Sequence, residues 1–150
     1  AREGAMVLHR VAVELGIPHE IAATPHDLRL ADLESGERGL ALIAGLHGMT
    51  SWEDIGLAIA IHGEELLRRE EQIKLLLCIH DGMPNDAELA REQCRRLRGR
   101  VEAIGLGLDL DERCAMLMAD IFGPDRLILC RAPAELPRKL GNLLRAIYGR

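Results

Sequence analysis

Leu75-Leu76-Leu77-Cys78-Ile79-His80-Asp81-Gly82-Met83-Pro84-Asn85-Asp86 is the stretch whose reading decides the fold. Its apolar part begins two residues earlier, at Ile73, and runs to Ile79 with Lys74 as its one charged member. A run of about seven residues is too short for a buried helix, and it does not alternate as a half-exposed strand would. It suits a parallel strand covered on both faces, where neither set of side chains meets water. Asp81-Gly82 and Pro84 then force a sharp loop. Behind the loop, Ala87, Ala90, Cys94 and Leu97 recur at helical spacing within residues 85–98.

The same alternation continues outward in both directions. Downstream, residues 101–106 read as a second buried strand ending in Gly105-Leu106-Gly107. A helix follows over 111–122, with Cys114, Leu117, Met118, Ile121 and Phe122 on one stripe. Residues 127–130 form a third short strand, and Pro133 opens a last helix whose seam is Leu136, Leu140, Leu143, Leu144 and Ile147. Upstream, Gly4, Val7, Leu8, Val11, Ala12 and Leu15 mark one helical face, ended by Gly16 and Pro18. Residues 17–24 read as a strand closed by Pro25, and 28–33 alternate as an edge strand does. Ser35 can cap a helix reaching about Leu46. A further helix spans 52–69, its apolar face carrying Ile55, Ala58, Ile59, His62 and Leu66.

Strand and helix in this order imply an α/β fold, a doubly wound, mostly parallel sheet with helices on both faces. No linker or repeat interrupts residues 1–150, so a single domain is expected. Ligands of such sheets bind beyond the carboxyl ends of the strands. That directs attention to three loops: Pro25-His26-Asp27, residues 48–54 and residues 80–86.

Composition narrows the function classes. With 48% apolar and 29% charged residues the chain can build a core, and with 2% aromatics that core must be aliphatic. A formal net charge of −5 argues against nucleic acid or an anionic membrane as the main partner. No apolar run approaches the roughly 20 residues of a membrane span. Cys78, Cys94, Cys114 and Cys130 are spread through apolar stretches without a CxxC pair, which suits reduced core thiols in a cytoplasmic protein. The chain opens on Ala1-Arg2-Glu3 inside what already reads as helix, as a cut end would.

The strand and loop from Leu75 to Asp86 resemble the apolar strand and (T/S)DGxPxD loop of von Willebrand factor A-type (VWA) domains. Gly48-Met49-Thr50, followed by Asp54-Ile55-Gly56-Leu57-Ala58, is similar to the family's GGT element and the helix behind it. Val101-Glu102-Ala103-Ile104-Gly105-Leu106-Gly107 resembles its v-x-x-I-G-x-G strand, and Ala134-Glu135-Leu136 to Leu144 its final helix. Each motif alone is short; the resemblance rests on four of them in the family's order across nearly the whole chain. Among VWA proteins the pattern is most similar to bacterial members that work with MoxR-type AAA+ ATPases, such as the nitric-oxide-reductase activation protein and the VWA subunit of cobalt chelatase.

The resemblance implies a Mg²⁺ or Mn²⁺ site built from a DxSxS loop, a Thr and an Asp on three loops, with one position open for a partner's carboxylate. Oxygen ligands of that kind are what hard divalent cations take. Thr50 and Asp81 match the second and third loops, with Ser51, Asp54, His80 and Asp86 around them. No DxSxS occurs in residues 1–150; by family order it precedes Ala1, so the first, central strand is expected to be missing.

Plainer roles compete at every position. Thr50 can be a helix N-cap with Glu53 at capping-box spacing. Asp81-Gly82 can be an ordinary turn, Asp54 a solvated first-turn acid, Asp86 a helix N-terminal residue, His80 a loop histidine and His62 a boundary histidine. The arginines from Arg91 to Arg100 suit a solvated face, and Gly105-Leu106-Gly107 lacks the third glycine of a dinucleotide fingerprint. The functional expectation is a metal-dependent protein-binding module, not an enzyme, with a protein partner such as an AAA+ ATPase or its target. The alternative is a small doubly wound enzyme or receiver-like phosphoryl acceptor using Asp81. That class wants a lysine converging on Asp81, and the chain has only Lys74 and Lys139.

Overall fold

The computed structural model describes residues 1–23, 28–32, 34–45 and 54–148. Among them the order is α1 (Arg2–Glu14), β1 (Glu20–Ala23), β2 (Leu28–Asp32), α2 (Gly36–Ala44), α3 (Ile55–Leu67) and β3 (Leu75–His80). Then come α4 (Ala87–Leu97), β4 (Glu102–Leu108), α5 (Glu112–Phe122), β5 (Leu127–Cys130) and α6 (Leu136–Tyr148). β3, β4 and β5 form a parallel sheet in that order. Leu75 lies opposite Glu102 and His80 opposite Gly107; across β4, Gly105 faces Leu127 and Leu108 faces Cys130. The fold is mixed α/β and compatible with the Rossmann-like arrangement that the strand–helix alternation predicts.

Parity along β3 explains why its run is apolar throughout. Successive side chains of a strand point to opposite faces. Leu76 and Cys78 join a cluster built by Ile55 and Ile59 of α3, Ala90 and Leu97 of α4, and Met118 and Phe122 of α5. Leu75, Leu77 and Ile79 join a second cluster with Ile104 and Leu106 of β4, Leu136 and Leu140 of α6, and Leu8 of α1. The sheet is therefore covered on both faces. Its middle strand is buried from Ala103 to Leu108, with Ile104 and Leu106 wholly inaccessible.

Two glycines mark where backbone and ring need the room of a missing side chain. A Cβ on Gly56 would stand 2.7 Å from the Ala90 nitrogen, so the close approach of α3 and α4 at this point needs a glycine. A Cβ on Gly105 would stand 2.6 Å from the Phe122 ring. Gly105-Leu106-Gly107 lies inside β4, which ends at Leu108, and Gly105 serves as a seat for α5. The strand expected to stop at Leu106 thus runs on.

Other boundaries shift for local reasons. Ile73 is 58% exposed, and β3 starts at Leu75, once the Lys74 carbonyl has accepted the Glu102 N–H. Residues 17–19 stay outside β1 because the Ile17 N–H bonds back to the Ala12 carbonyl and closes α1. Ser35 does not cap α2 with its hydroxyl. That hydroxyl donates to the Asp32 carbonyl and accepts the Asp32 N–H, while the Asp32 carboxylate accepts from Glu34 and Ser35. The Asx-type turn competes with the cap and wins. The expected stripe on α1 is also corrected: Gly4 and His9 are its buried residues, and Val11 and Leu15 are exposed. An inward histidine is tolerated because both of its ring nitrogens find partners.

β1 and β2 pair antiparallel as a separate two-stranded sheet, Glu20 opposite Asp32 and Ala23 opposite Leu28. They pack with α1 and α2 around Leu30, Ala31 and Ile43. Among the described residues no ladder joins this pair to β3, so β3 is an edge strand.

Candidate functional site

Asp81 is the first residue past β3, exposed at the carboxyl end of the sheet. The ammonium group of Ala1 lies 2.6 Å from its carboxylate, so the start of α1 arrives at the end of β3. Packing places it there: Gly4, one turn into α1, would put a Cβ 3.0 Å from Leu108 and 3.6 Å from Ile79. His80, 5% exposed, turns its Nδ1 to accept the Gly82 N–H at 3.3 Å and shapes the loop.

Asp86 reaches away from its own helix. Its carboxylate oxygens accept the N–H groups of Gly56 and Leu57 at 3.0 and 3.1 Å, the first amides of α3. These are donors that the helix itself cannot satisfy. Asp54 stands at the N-cap position of α3 without a side-chain cap bond, so the capping role falls to Asp86 from across the fold. The loop after β3 is thereby tied to the segment that enters α3. Replacing Asp86 with alanine should cost about 0.5–2 kcal/mol, the usual worth of an N-cap, and replacement by asparagine part of that, because an amide offers one accepting oxygen to the two N–H groups. Urea denaturation of the two variants checks this.

Thr50 and Ser51 lie outside the described residues, as do Glu53 and the Pro25-His26-Asp27 loop. Of the residues singled out from sequence, the structure brings Asp81, His80 and Asp86 to one loop and links Asp54's helix to it. The two lysines are placed elsewhere or engaged. Lys74 precedes β3, at the opposite end from Asp81. The Lys139 ammonium donates to the Leu129 carbonyl and pairs with Glu135, each at 2.6 Å. The arginines of α4 are spent on neighbours: Arg91 pairs with Asp120 at 3.2 Å and Arg96 with Glu64 at 2.6 Å. Exposed pairs of this kind contribute little stability.

All four cysteines are free thiols. Burial pushes the Cys78 thiol up, and the Cys94 thiol up to about 11, so neither supplies a thiolate nucleophile near neutral pH. Next to the Asp81 loop, Met83 and Met116 are exposed above a shallow depression edged by Asp111, Glu112 and Asp120. Among the described residues no helix is long and apolar enough to cross a membrane.

Two histidine arrangements escaped the sequence reading. The His62 Nδ1 of α3 lies 3.2 Å from a Glu65 oxygen and 4.0 Å from one of Glu20, an imidazole between two carboxylates at the boundary of β1 and α3. The three side chains converge to within 4.8 Å, an ion-pair geometry. The i,i+3 spacing of His62 and Glu65 was visible; the approach of Glu20 was not. The second arrangement joins His9 of α1 to His19, with ring nitrogens 2.8 Å apart. Neither involves the Asp81 loop. No family model and no curated protein sequence matches the chain.

Proposed function

We propose that this chain is a metal-dependent protein-binding module of VWA type, in which Thr50 and Asp81 contribute to a Mg²⁺ or Mn²⁺ site at the carboxyl end of the sheet. The observation that carries the reading is the Asp86 clasp. By holding first-turn amides of α3, Asp86 ties the start of that helix to the loop that begins with Asp81. Gly56 is six residues beyond Thr50, a stretch of at most about 20 Å when extended. The first turn of α1 reaches the same place through Ala1. The start of α1, the start of α3 and the end of β3 lie near one another, which supports a site shared by the loops at this end of the sheet. Asp81 supplies the hard oxygen donor that such cations take.

Among the described residues no strand pairs with the outer edge of β3, which supports the same reading. A parallel strand lying between β3 and the β1–β2 pair, and running on into α1, would occupy the position of the family's central strand. In that arrangement the cation keeps one coordination position for a carboxylate of a protein partner, a MoxR-type AAA+ ATPase or its target. Met83 and Met116 would add apolar contact beside it. The free, buried thiols fit a cytoplasmic setting. No catalytic role is assigned, because neither lysine approaches Asp81 as a phosphoryl acceptor would require.

The test is a Mn²⁺ titration followed by electron paramagnetic resonance. Residues 1–150 should bind weakly, with Kd near or above about 1 mM, because two oxygen ligands replace few of the cation's waters. Joining a β-strand and DxSxS loop ahead of Ala1 should tighten binding at least about tenfold, and Asp81→Asn should remove that gain. An extended chain that binds no better than residues 1–150 would sink the proposal.

A further inference from the structure

His9 and His19 raise a problem of proton counting. His9 is wholly buried on α1. Its Nε2 lies 2.9 Å from the Gly36 carbonyl oxygen, and its Nδ1 lies 2.8 Å from the Nε2 of His19. The Nδ1 of His19 lies 2.8 Å from the Ile17 carbonyl oxygen. Carbonyl oxygens only accept, so the two outer contacts place a proton on the Nε2 of His9 and on the Nδ1 of His19. Two neutral imidazoles then have none left. The inner nitrogens would face each other as lone pairs at hydrogen-bond distance, which is repulsive. All three contacts are bonds only if the pair holds three protons on four nitrogens, one more than two neutral rings carry.

We propose that His9 and His19 share a single extra proton as an imidazolium–imidazole pair, and that this proton clamps α1 to the turn at Gly36 and to the segment leading into β1, making the clamp a pH-sensitive latch. The surroundings are consistent with a proton held by geometry and not by a counter-ion. The charged groups among the described side chains of the elements packed around the pair are Arg2, Glu3, Arg10 and Glu14 of α1, Glu20 of β1, Asp32 of β2, and Glu37 and Arg38 of α2. The Asp32 carboxylate is taken by the Glu34 and Ser35 amides, and that of Glu20 approaches His62. Among the described residues, no ion pair reaches either ring. Gly39 leaves the ring its place, since a Cβ there would stand 2.9 Å from the Nε2 of His9.

The sign follows from linkage. The folded pair binds one proton more than two unfolded imidazoles do above their ordinary value of about 6.5, so stability is lost as pH rises through the range where the pair gives up its proton. His19→Gln separates the hydrogen bond from the charge. A glutamine amide donates to the Nδ1 of His9 without titrating, so it preserves the contact and removes the pH dependence.

Two measurements on the full 150-residue chain decide the matter. In ¹⁵N-histidine spectra recorded from pH 5 to 9, both rings should report one proton with a common midpoint, as coupled sites do. In thermal melts, the wild-type Tm should fall between pH 6 and pH 8.5 by at least about 3 °C more than that of His19→Gln, a difference readily resolved in a domain of this size. Independent midpoints for the two rings, or melting curves of wild type and His19→Gln that shift in parallel, would overturn the proposal. Should His19→Gln fail to fold, the spectra of the wild type still settle it.

Discussion

Ile104→Ala should lower the stability of the chain by about 2–5 kcal/mol, measured by urea denaturation, while Ile73→Ala should change it by no more than about 0.5 kcal/mol. The two residues have the same side chain and lie on neighbouring segments, so the contrast isolates burial. Ile104 is wholly inaccessible in the middle strand, opposite Leu77 of β3 and among the α1 and α6 side chains of the second cluster. Truncation there removes apolar contact from both directions and leaves a cavity that a sheet held on two sides cannot close. Ile73 precedes β3 and is 58% exposed. From the sequence alone it counts as the first residue of the strand. Equal losses at the two positions would mean that the strand starts earlier than the ladder with Glu102 indicates.

What the sequence made legible is the part of the fold governed by periodicity and burial on both faces. The run at β3, the stripes on α4 and α5 and the seam of α6 all reappear in the two clusters flanking the sheet. Those segments lie over one another, so their pattern records their neighbours directly. Legibility falls off along α1. The apolar Val11 and, just past its end, Leu15 look like core, yet both are exposed, and the inward place goes to His9. A histidine enters the interior only if both ring nitrogens are satisfied, and its partners lie 10 and 27 residues away. No window of local pattern contains them. Ser35 misleads for a similar reason, since a cap and the bonds to the Asp32 backbone draw on the same hydroxyl.

The candidate site was legible as loops and not as contacts. The rule that ligands gather beyond parallel strand ends pointed to residues 80–86, and Asp81 does stand there, exposed. The part played by Asp86 could not be read in advance. At its position it resembles an ordinary first-turn acid of α4, but its carboxylate closes the start of α3, 30 residues earlier. Local spacing carries no information about a bond of that reach. The same carboxylate gives the loop its fixed relation to α3.

Asp81→Ala in the intact protein should abolish cation-dependent partner binding, by at least about 2 kcal/mol or roughly thirtyfold in affinity, while leaving the fold nearly unchanged. The carboxylate is more than half exposed, and its contact in the structure, with the backbone nitrogen of Ala1, is an exposed one of small worth. Removing it should therefore shift stability by no more than about 0.5 kcal/mol. Binding is a different matter if a cation joins Asp81 to a carboxylate of the partner, because then two negative surfaces meet with nothing else between them. Chelation should mimic the substitution, and Mg²⁺ or Mn²⁺ should restore binding to the wild type only. Asp125→Ala, in the 3₁₀ turn before β5, serves as an exposed acidic control that should bind normally. The comparison is a capture experiment from cell extract with and without EDTA, beside a thermal melt of each variant. Binding that survives both EDTA and Asp81→Ala would place the interaction surface on the helical faces and remove the cation from the mechanism. A variant that loses binding together with its melting transition would instead assign Asp81 to the fold, against its exposure at the end of β3.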